Sequence, residues 1–186
     1  MIIYLHGFRS SPQSAKVRRL ADEMAARGMA DRLLCPALSN VPARAIAQVE
    51  TLIAGCAVKP TLAGSSLGGY YATWLAERHD LKAALINPAV IAHLSLARYV
   101  GPQTNLYTGE SFDFTLEHVE QLQAIEVPRI TPSRYLLMVE KGDEVLDWRQ
   151  AAERYAGCTQ RVFEGGDHSF TRFAECIPQL LEFAGL

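Results

Sequence analysis

Two apolar patterns alternate along this chain. Short, nearly unbroken apolar runs stand at "IIYL" (2–5), "RLLCPAL" (32–38), "TLAGS" (61–65), "AALIN" (83–87), "RYLLMVE" (134–140) and "QRVFE" (160–164). Runs of this length, closed by turn residues, read as strands. Pro36 marks the second as an ending or edge strand, since proline has no N–H to donate to a ladder. Between the runs the spacing becomes helical. Residues 12–27 put Val17, Leu20 and Met24 on one face, with Pro12 near the first turn and Gly28 as the stop. Residues 42–54 open on Pro42 and close near Gly55; 67–79 and 147–156 follow the third and fifth strands. A terminal helix over 169–184 turns Phe170, Phe173, Ile177 and Leu180 or Leu181 inward, and Pro178 is expected to kink or restart it.

Strand–helix alternation predicts an α/β fold, because helical crossovers join parallel neighbours and cover both faces of the sheet. About six mostly parallel strands are expected. The exception is 88–132, an irregular section with one helical stretch at 115–125 and Thr115 as its N-cap. No repeat, charge block or low-complexity linker divides the chain. The expectation is one domain over 1–186, with 88–132 as a candidate cap or lid.

Composition narrows the function classes. Of 186 residues, 49% are hydrophobic and 20% charged, and a chain of this size can bury a full core without disulfides. A net charge of −2 gives no general attraction to nucleic acid or anionic membranes. Cys35, Cys56, Cys158 and Cys176 show neither Cys-x-x-Cys nor zinc-site spacing, so they read as small buried apolar residues and no metal is expected. The opening "MIIYLHG" has no basic segment and no long apolar segment. A cytoplasmic chain with no membrane span is therefore expected.

The chemistry is sought just after the strands, because loops at that edge of a parallel sheet bind ligands. "GSSLGG" (64–69) fits G-x-S-x-G between a strand and a helix. The elbow needs small residues two before and two after its serine. Ser66 has Gly64 and Gly68 there; Ser65 would have Ala63 and Leu67. Ser66 is the candidate nucleophile. A serine needs a base, and the base an orienting acid. His168, in "GGDHSF" after the last strand, is the candidate base. His79 ends a helix, His93 and His118 lie in the irregular section, and His6 is read as holding its loop. Asp143, after the fifth strand in "EKGDEVLD", is the candidate acid, with Glu144 and Asp147 as rivals. Asp147 suits a helix cap, Glu140 lies deep in the strand, and Asp167 reads as a turn residue. The backbone N–H groups of Leu67 and Phe8 are the expected oxyanion donors, with Gly7 admitting close approach. Arg9 is a candidate contact for an anionic part of a substrate.

These residues resemble the α/β-hydrolase superfamily and, more narrowly, the small bacterial YqiA-type esterases. The resemblance rests on "YLHGFRSSPQSAK" (4–16), "GSSLGGYYATWLAE" (64–77), "LINPAV" (85–90), "YTGESF" (107–112), "EKGDEVLD" (140–147) and "GGDHSF" (165–170). It implies a cofactor-free hydrolase of small carboxylic esters, or alternatively of acyl-CoA thioesters, with Ser66, His168 and Asp143 in the triad roles. It also implies a minimal α/β-hydrolase fold lacking the N-terminal hairpin strands. A hydrolase-like module that only binds is the remaining alternative, disfavoured by an intact set of three residues. Leu94, Leu96, Tyr99, Leu106, Tyr107 and Phe112 of the insert are candidates to line an acyl pocket.

Overall fold

The computed structural model describes residues 1–186. Its strands are β1 (Ile2–Leu5), β2 (Leu33–Leu34), β3 (Thr61–Ser65), β4 (Ala83–Ile86), β5 (Gly101–Thr104), β6 (Ser111–Phe114), β7 (Tyr135–Glu140) and β8 (Thr159–Phe163). Its α-helices are α1 (Ala15–Ala26), α2 (Pro42–Ala54), α3 (Leu67–His79), α4 (Ala92–Ala97), α5 (Leu116–Ala124), α6 (Trp148–Arg154) and α7 (Phe173–Ala184). No helix is long and apolar enough to cross a membrane.

Six strands form one sheet in the order β2-β1-β3-β4-β7-β8, and every pair is parallel. Successive side chains of a strand point to opposite faces, and here both faces are covered. Ile3, Leu5, Leu62, Leu85, Leu137 and Val139 enter a core completed by α2, α3 and α5. Their neighbours Ile2, Tyr4, Ala63, Ile86, Leu136 and Met138 enter a second core under α1 and α7. This two-sided burial explains why the strands read as continuous apolar runs.

Register aligns the strand ends. Leu5 pairs with Gly64, and Ser65 with Ile86. The residues that follow β1, β3 and β4 therefore emerge together. The chain runs from β1 outward to β2 and returns to β3 on the other side of β1. The β1/β3 crevice is thus a topological switch point, where open α/β sheets bind ligands.

Three elements differ from expectation. The second strand spans only Leu33–Leu34, because Pro36 ends donation and the chain continues as an edge loop. Helix α7 begins at Phe173, four residues later than expected and with Phe170 outside it at φ 55°, and it runs across Pro178 without restarting there. Proline removes one helical hydrogen bond, and burial of Phe173, Ile177, Leu180 and Leu181 on the sheet keeps the segment helical. The section 88–132 holds more than one helix: α4, an antiparallel hairpin of β5 and β6, and α5. Gly101 and Pro102 hide β5 from a propensity reading. This section packs onto the body. Phe114 and Leu122 join the larger core, and the Tyr70 hydroxyl donates to the Leu122 carbonyl at 3.0 Å.

Candidate active site

Ser66 stands alone between β3 and α3 with φ 54° and ψ −122°. A non-glycine residue in such a conformation costs about 1–3 kcal/mol and persists only where its surroundings hold it. Its N–H donates to the Ile86 carbonyl at 3.1 Å, and its carbonyl accepts from Gly69 at 3.0 Å and Ala89 at 3.1 Å. The flanking glycines have a steric reason. A Cβ on Gly64 would run into the Gly68 backbone, and one on Gly68 into the Leu5 carbonyl. Ser65 remains in the strand.

Two loops from the other half of the sheet meet this serine. His168 Nε2 lies 3.2 Å from Ser66 Oγ. His168 Nδ1 lies 2.8 Å from Asp143 Oδ2 and 3.0 Å from Oδ1. The Asp143 carboxylate is 2% exposed. Its Oδ1 also accepts the N–H groups of Val145 and Leu146, both at 2.9 Å, which fixes its rotamer. Glu144 holds the histidine's backbone instead of its ring: its Oε2 accepts the His168 backbone N–H at 3.0 Å. Asp147 caps α6 by accepting from Arg149 N–H.

The loop after β1 supplies the facing wall. A Cβ on Gly7 would sit 3.2 Å from Ser66 Cβ and 3.7 Å from its Oγ, so this backbone lies directly against the serine. The Phe8 N–H donates to no acceptor in the chain. Leu67, the first residue of α3, has its N–H among the unpaired donors of a helix start. The Phe8 ring is anchored among Tyr99, Phe112 and Phe114, with centroids 5.0–5.9 Å apart. His6 is buried; its Nε2 accepts from Leu38 N–H at 3.1 Å and its Nδ1 faces the Gly7 carbonyl at 3.0 Å. Burial lowers its pKa, so the neutral ring acts as a loop brace.

The other histidines lie in other contacts. His79 pairs with Glu50 at 3.1 Å, and His118 completes the capping box of α5 with Thr115. His93 lies 3.6 Å from Glu126.

With this geometry in hand, the comparison with known proteins is direct. A model described as "Uncharacterised protein family (UPF0227)" matches residues 1–185. The chain belongs to that family. Among solved structures, this UPF0227 member is similar to alpha/beta hydrolase domain-containing protein 10 from mouse, at 17% identity and a TM-score of 0.74, covering 97% of this chain and 89% of that one. It is also similar to a monoacylglycerol lipase from Paleococcus ferrophilus (14% identity, TM-score 0.68, 98% and 94% covered). An esterase domain from a Rhodothermus marinus protein matches at 18% identity and TM-score 0.66, with 98% and 85% covered. The likeness is one of fold, and the fold is that of the α/β hydrolases.

Residues outside the Ser66–His168–Asp143 line brace it. Asn87, in the "NPA" block, donates from Nδ2 to the Asp167 carbonyl at 3.0 Å and accepts the Glu140 N–H at 2.9 Å. It ties the end of β4 to the loops carrying Asp143 and His168. Glu140, fully buried, accepts the Asp167 N–H at 2.9 Å and the Arg172 Nε–H at 2.7 Å. An acid closing the apolar run "LLMV" was the signal that could have flagged this pair. Asn105, just before the "YTGE" block, donates to the Ser10 carbonyl at 2.8 Å, and Leu106 N–H donates to the Arg9 carbonyl at 2.9 Å. The β5–β6 hairpin thus clasps the loop that bears Phe8.

Two clefts open beside Ser66. One, of about 250 Å³, is lined by Phe8, Arg9, Ser14, Lys16, Tyr107 and His168 among others. The other is a slot of about 30 Å³ walled by Ala89, Leu96, Tyr99, Val145 and Leu146. The residues suggested for an acyl pocket divide accordingly. Leu96 and Tyr99 line the slot, Leu106 and Tyr107 the larger cleft, and Phe112 packs on Phe8. Leu94 lines neither and is 66% exposed.

Proposed function

We propose that this UPF0227 chain is a serine hydrolase that cleaves carboxylic esters of small molecules through an acyl-enzyme on Ser66. One observation carries the reading: Ser66 Oγ, His168 Nε2, His168 Nδ1 and Asp143 Oδ2 follow one another at 3.2 and 2.8 Å across the ends of three strands. Similarity of fold to an esterase domain and a monoacylglycerol lipase supports the reaction class.

The steps follow from the atoms. Asp143 accepts the Nδ1–H of His168, which leaves the Nε2 lone pair directed at Ser66. As Ser66 Oγ attacks the acyl carbonyl, Nε2 takes its proton and Asp143 stabilises the imidazolium. Charge develops on the carbonyl oxygen, where the Phe8 and Leu67 N–H groups donate. Each such donor is worth about 3 kcal/mol in the transition state. His168 then protonates the departing alcohol, and water, activated by the same nitrogen, releases the acid.

A fluorophosphonate probe tests this directly. It is expected to label Ser66, and Ser66→Ala is expected to lose both labelling and hydrolysis of p-nitrophenyl esters. A folded wild-type protein that neither labels nor hydrolyses any ester would refute the proposal.

A further inference from the structure

The larger cleft is built for negative charge. Only four of its thirteen lining residues are hydrophobic, and its two charged side chains that are not part of the Ser66–His168–Asp143 line are cations, Arg9 and Lys16. Helix α1 begins at its wall, with Ser14, Ala15 and Lys16 as N-cap and first residues. That helix start carries no acidic residue and no side-chain cap, and a lysine occupies its first turn, where the helix dipole disfavours a cation. Ser14 is only 6% exposed; its hydroxyl has no protein partner, and it lines the cleft. This hydroxyl at a helix start opens to the cleft and is free to donate to an anion there.

The two cations are also short of partners. Lys16 Nζ makes one hydrogen bond, to the Ser169 carbonyl at 2.7 Å, and no ion pair. Burial lowers its pKa, although Asp167, Glu140 and Asp143 in the neighbourhood act the other way. With carboxylates near but none in contact, and one carbonyl as its only bonded partner, this half-buried ammonium has donors left for an arriving anion. Arg9 holds a positive φ of 56°, and its Nε donates to the Thr104 carbonyl at 2.9 Å. Its two terminal nitrogens donate to nothing in the chain, which leaves the guanidinium fork free for an oxyanion.

We propose that this cleft binds an oxyanion, a carboxylate or a phosphate, carried by the alcohol part of the substrate, through Arg9, Ser14, Lys16 and the start of α1. The apolar slot on the other flank of Ser66 then receives a short acyl group. The inference rests on the esterase reading and names the substrate class: short-chain esters of anionic alcohols.

Matched acetate esters test it. The probes are 4-acetoxybenzoate against its methyl ester, and 4-acetoxyphenyl phosphate against 4-acetoxyanisole. The charged member of at least one pair is expected to show a kcat/KM at least about tenfold higher, with the advantage shrinking as salt screens the cations. The pair with the larger advantage distinguishes carboxylate from phosphate. Lys16→Met and Arg9→Gln are each expected to reduce that ratio several-fold, and Arg18→Gln, on α1 outside the cleft, to leave it unchanged. Equal rates within both pairs, or ratios unmoved by Lys16→Met and Arg9→Gln, would overturn the proposal. So would a preference confined to p-nitrophenyl hemisuccinate over p-nitrophenyl butyrate, which places the charge on the acyl side. If every ester proves inert the esterase reading fails, and thermal shift decides the cleft separately. Stabilisation by 4-acetoxybenzoate or 4-acetoxyphenyl phosphate but not by the neutral partners, lost in Lys16→Met, supports the anion site. No difference overturns it.

Discussion

Asp143→Asn is the most informative single change, because the structure dictates how the new side chain must sit. Asp143 Oδ1 accepts two backbone N–H groups, from Val145 and Leu146, both at 2.9 Å. An asparagine keeps those bonds only by placing its carboxamide oxygen there. Its NH2 group then occupies the Oδ2 position, 2.8 Å from His168 Nδ1. The retained oxygen, 3.0 Å from Nδ1, already accepts two N–H groups, and two N–H donors cannot face each other at the shorter distance, so the imidazole adopts the tautomer with its proton on Nε2. That proton points at Ser66 Oγ, 3.2 Å away, and the ring can no longer accept the serine's proton.

On the proposed mechanism the expected loss in kcat is about 10⁴-fold, the size seen when an orienting acid becomes an amide in a Ser-His-Asp triad. At ~1.36 kcal/mol per tenfold, this amounts to about 5 kcal/mol of barrier. The fold should survive, since the replacement is isosteric and retains the turn. Hydrolysis of p-nitrophenyl acetate, with thermal denaturation as the folding control, measures both. Glu144→Gln is the matched comparison. Its carboxamide oxygen can still accept the His168 backbone N–H, so its loss should stay below about tenfold. A folded Asp143→Asn variant within tenfold of wild type, or a Glu144→Gln variant slower than it, would refute the proposed mechanism.

Two further expectations concern the frame. Gly68→Ala drives a Cβ into the Leu5 carbonyl, where only backbone can yield, so urea denaturation should show a loss of about 3 kcal/mol; a loss below about 1 kcal/mol would contradict the close approach. Arg172→Met leaves the Glu140 carboxylate, 0% exposed, without its cation and should cost about 3 kcal/mol. Lys141→Met, whose partner Glu164 is 84% exposed, should cost less than about 1 kcal/mol by the same assay, and equal losses would sink the distinction.

What could be read from the sequence divides along a physical line. Elements whose burial is periodic or complete were legible: the strands β1 and β3, the amphipathic α2 and the buried α3 have the boundaries their apolar patterns predict. The elbow was legible because its demand is local; Gly64 and Gly68 lie two residues either side of Ser66. The placement of Asp143 and His168 beside Ser66 was legible through strand order, since each follows a strand at the same sheet edge. The β5–β6 hairpin was not, because a strand beginning Gly101-Pro102 is stabilised by its partner and not by its own residues. The roles of Asn87, Asn105 and Arg172 were hidden for a related reason. Asn87 bonds Glu140 and Asp167, 53 and 80 positions away, and Asn105 bonds Ser10, 95 away. No local period encodes such pairs.

Backbone strain shows why those distant bonds are present. Five non-glycine residues have positive φ: Arg9, Ser66, Asp80, Asn87 and Phe170. Asp80 ends α3, where a left-handed residue is an ordinary helix stop. The other four surround the site: Arg9 in the loop that abuts Ser66, Ser66 and Asn87 next after β3 and β4, Phe170 two residues beyond His168. Each costs about 1–3 kcal/mol and would relax unless held. Each is held by an element other than its own. The Arg9 carbonyl is bonded by the hairpin through Leu106, and the Ser66 carbonyl by Ala89 beyond β4. Asn87 is bonded by β7 and by the Asp167 loop, and Phe170 is sealed in the core against Phe163 and Phe173. A loop that served only to connect strands would have no reason to keep these conformations. Their concentration at one sheet edge, each braced from across the fold, is what a site that must hold several donors and acceptors in fixed register requires.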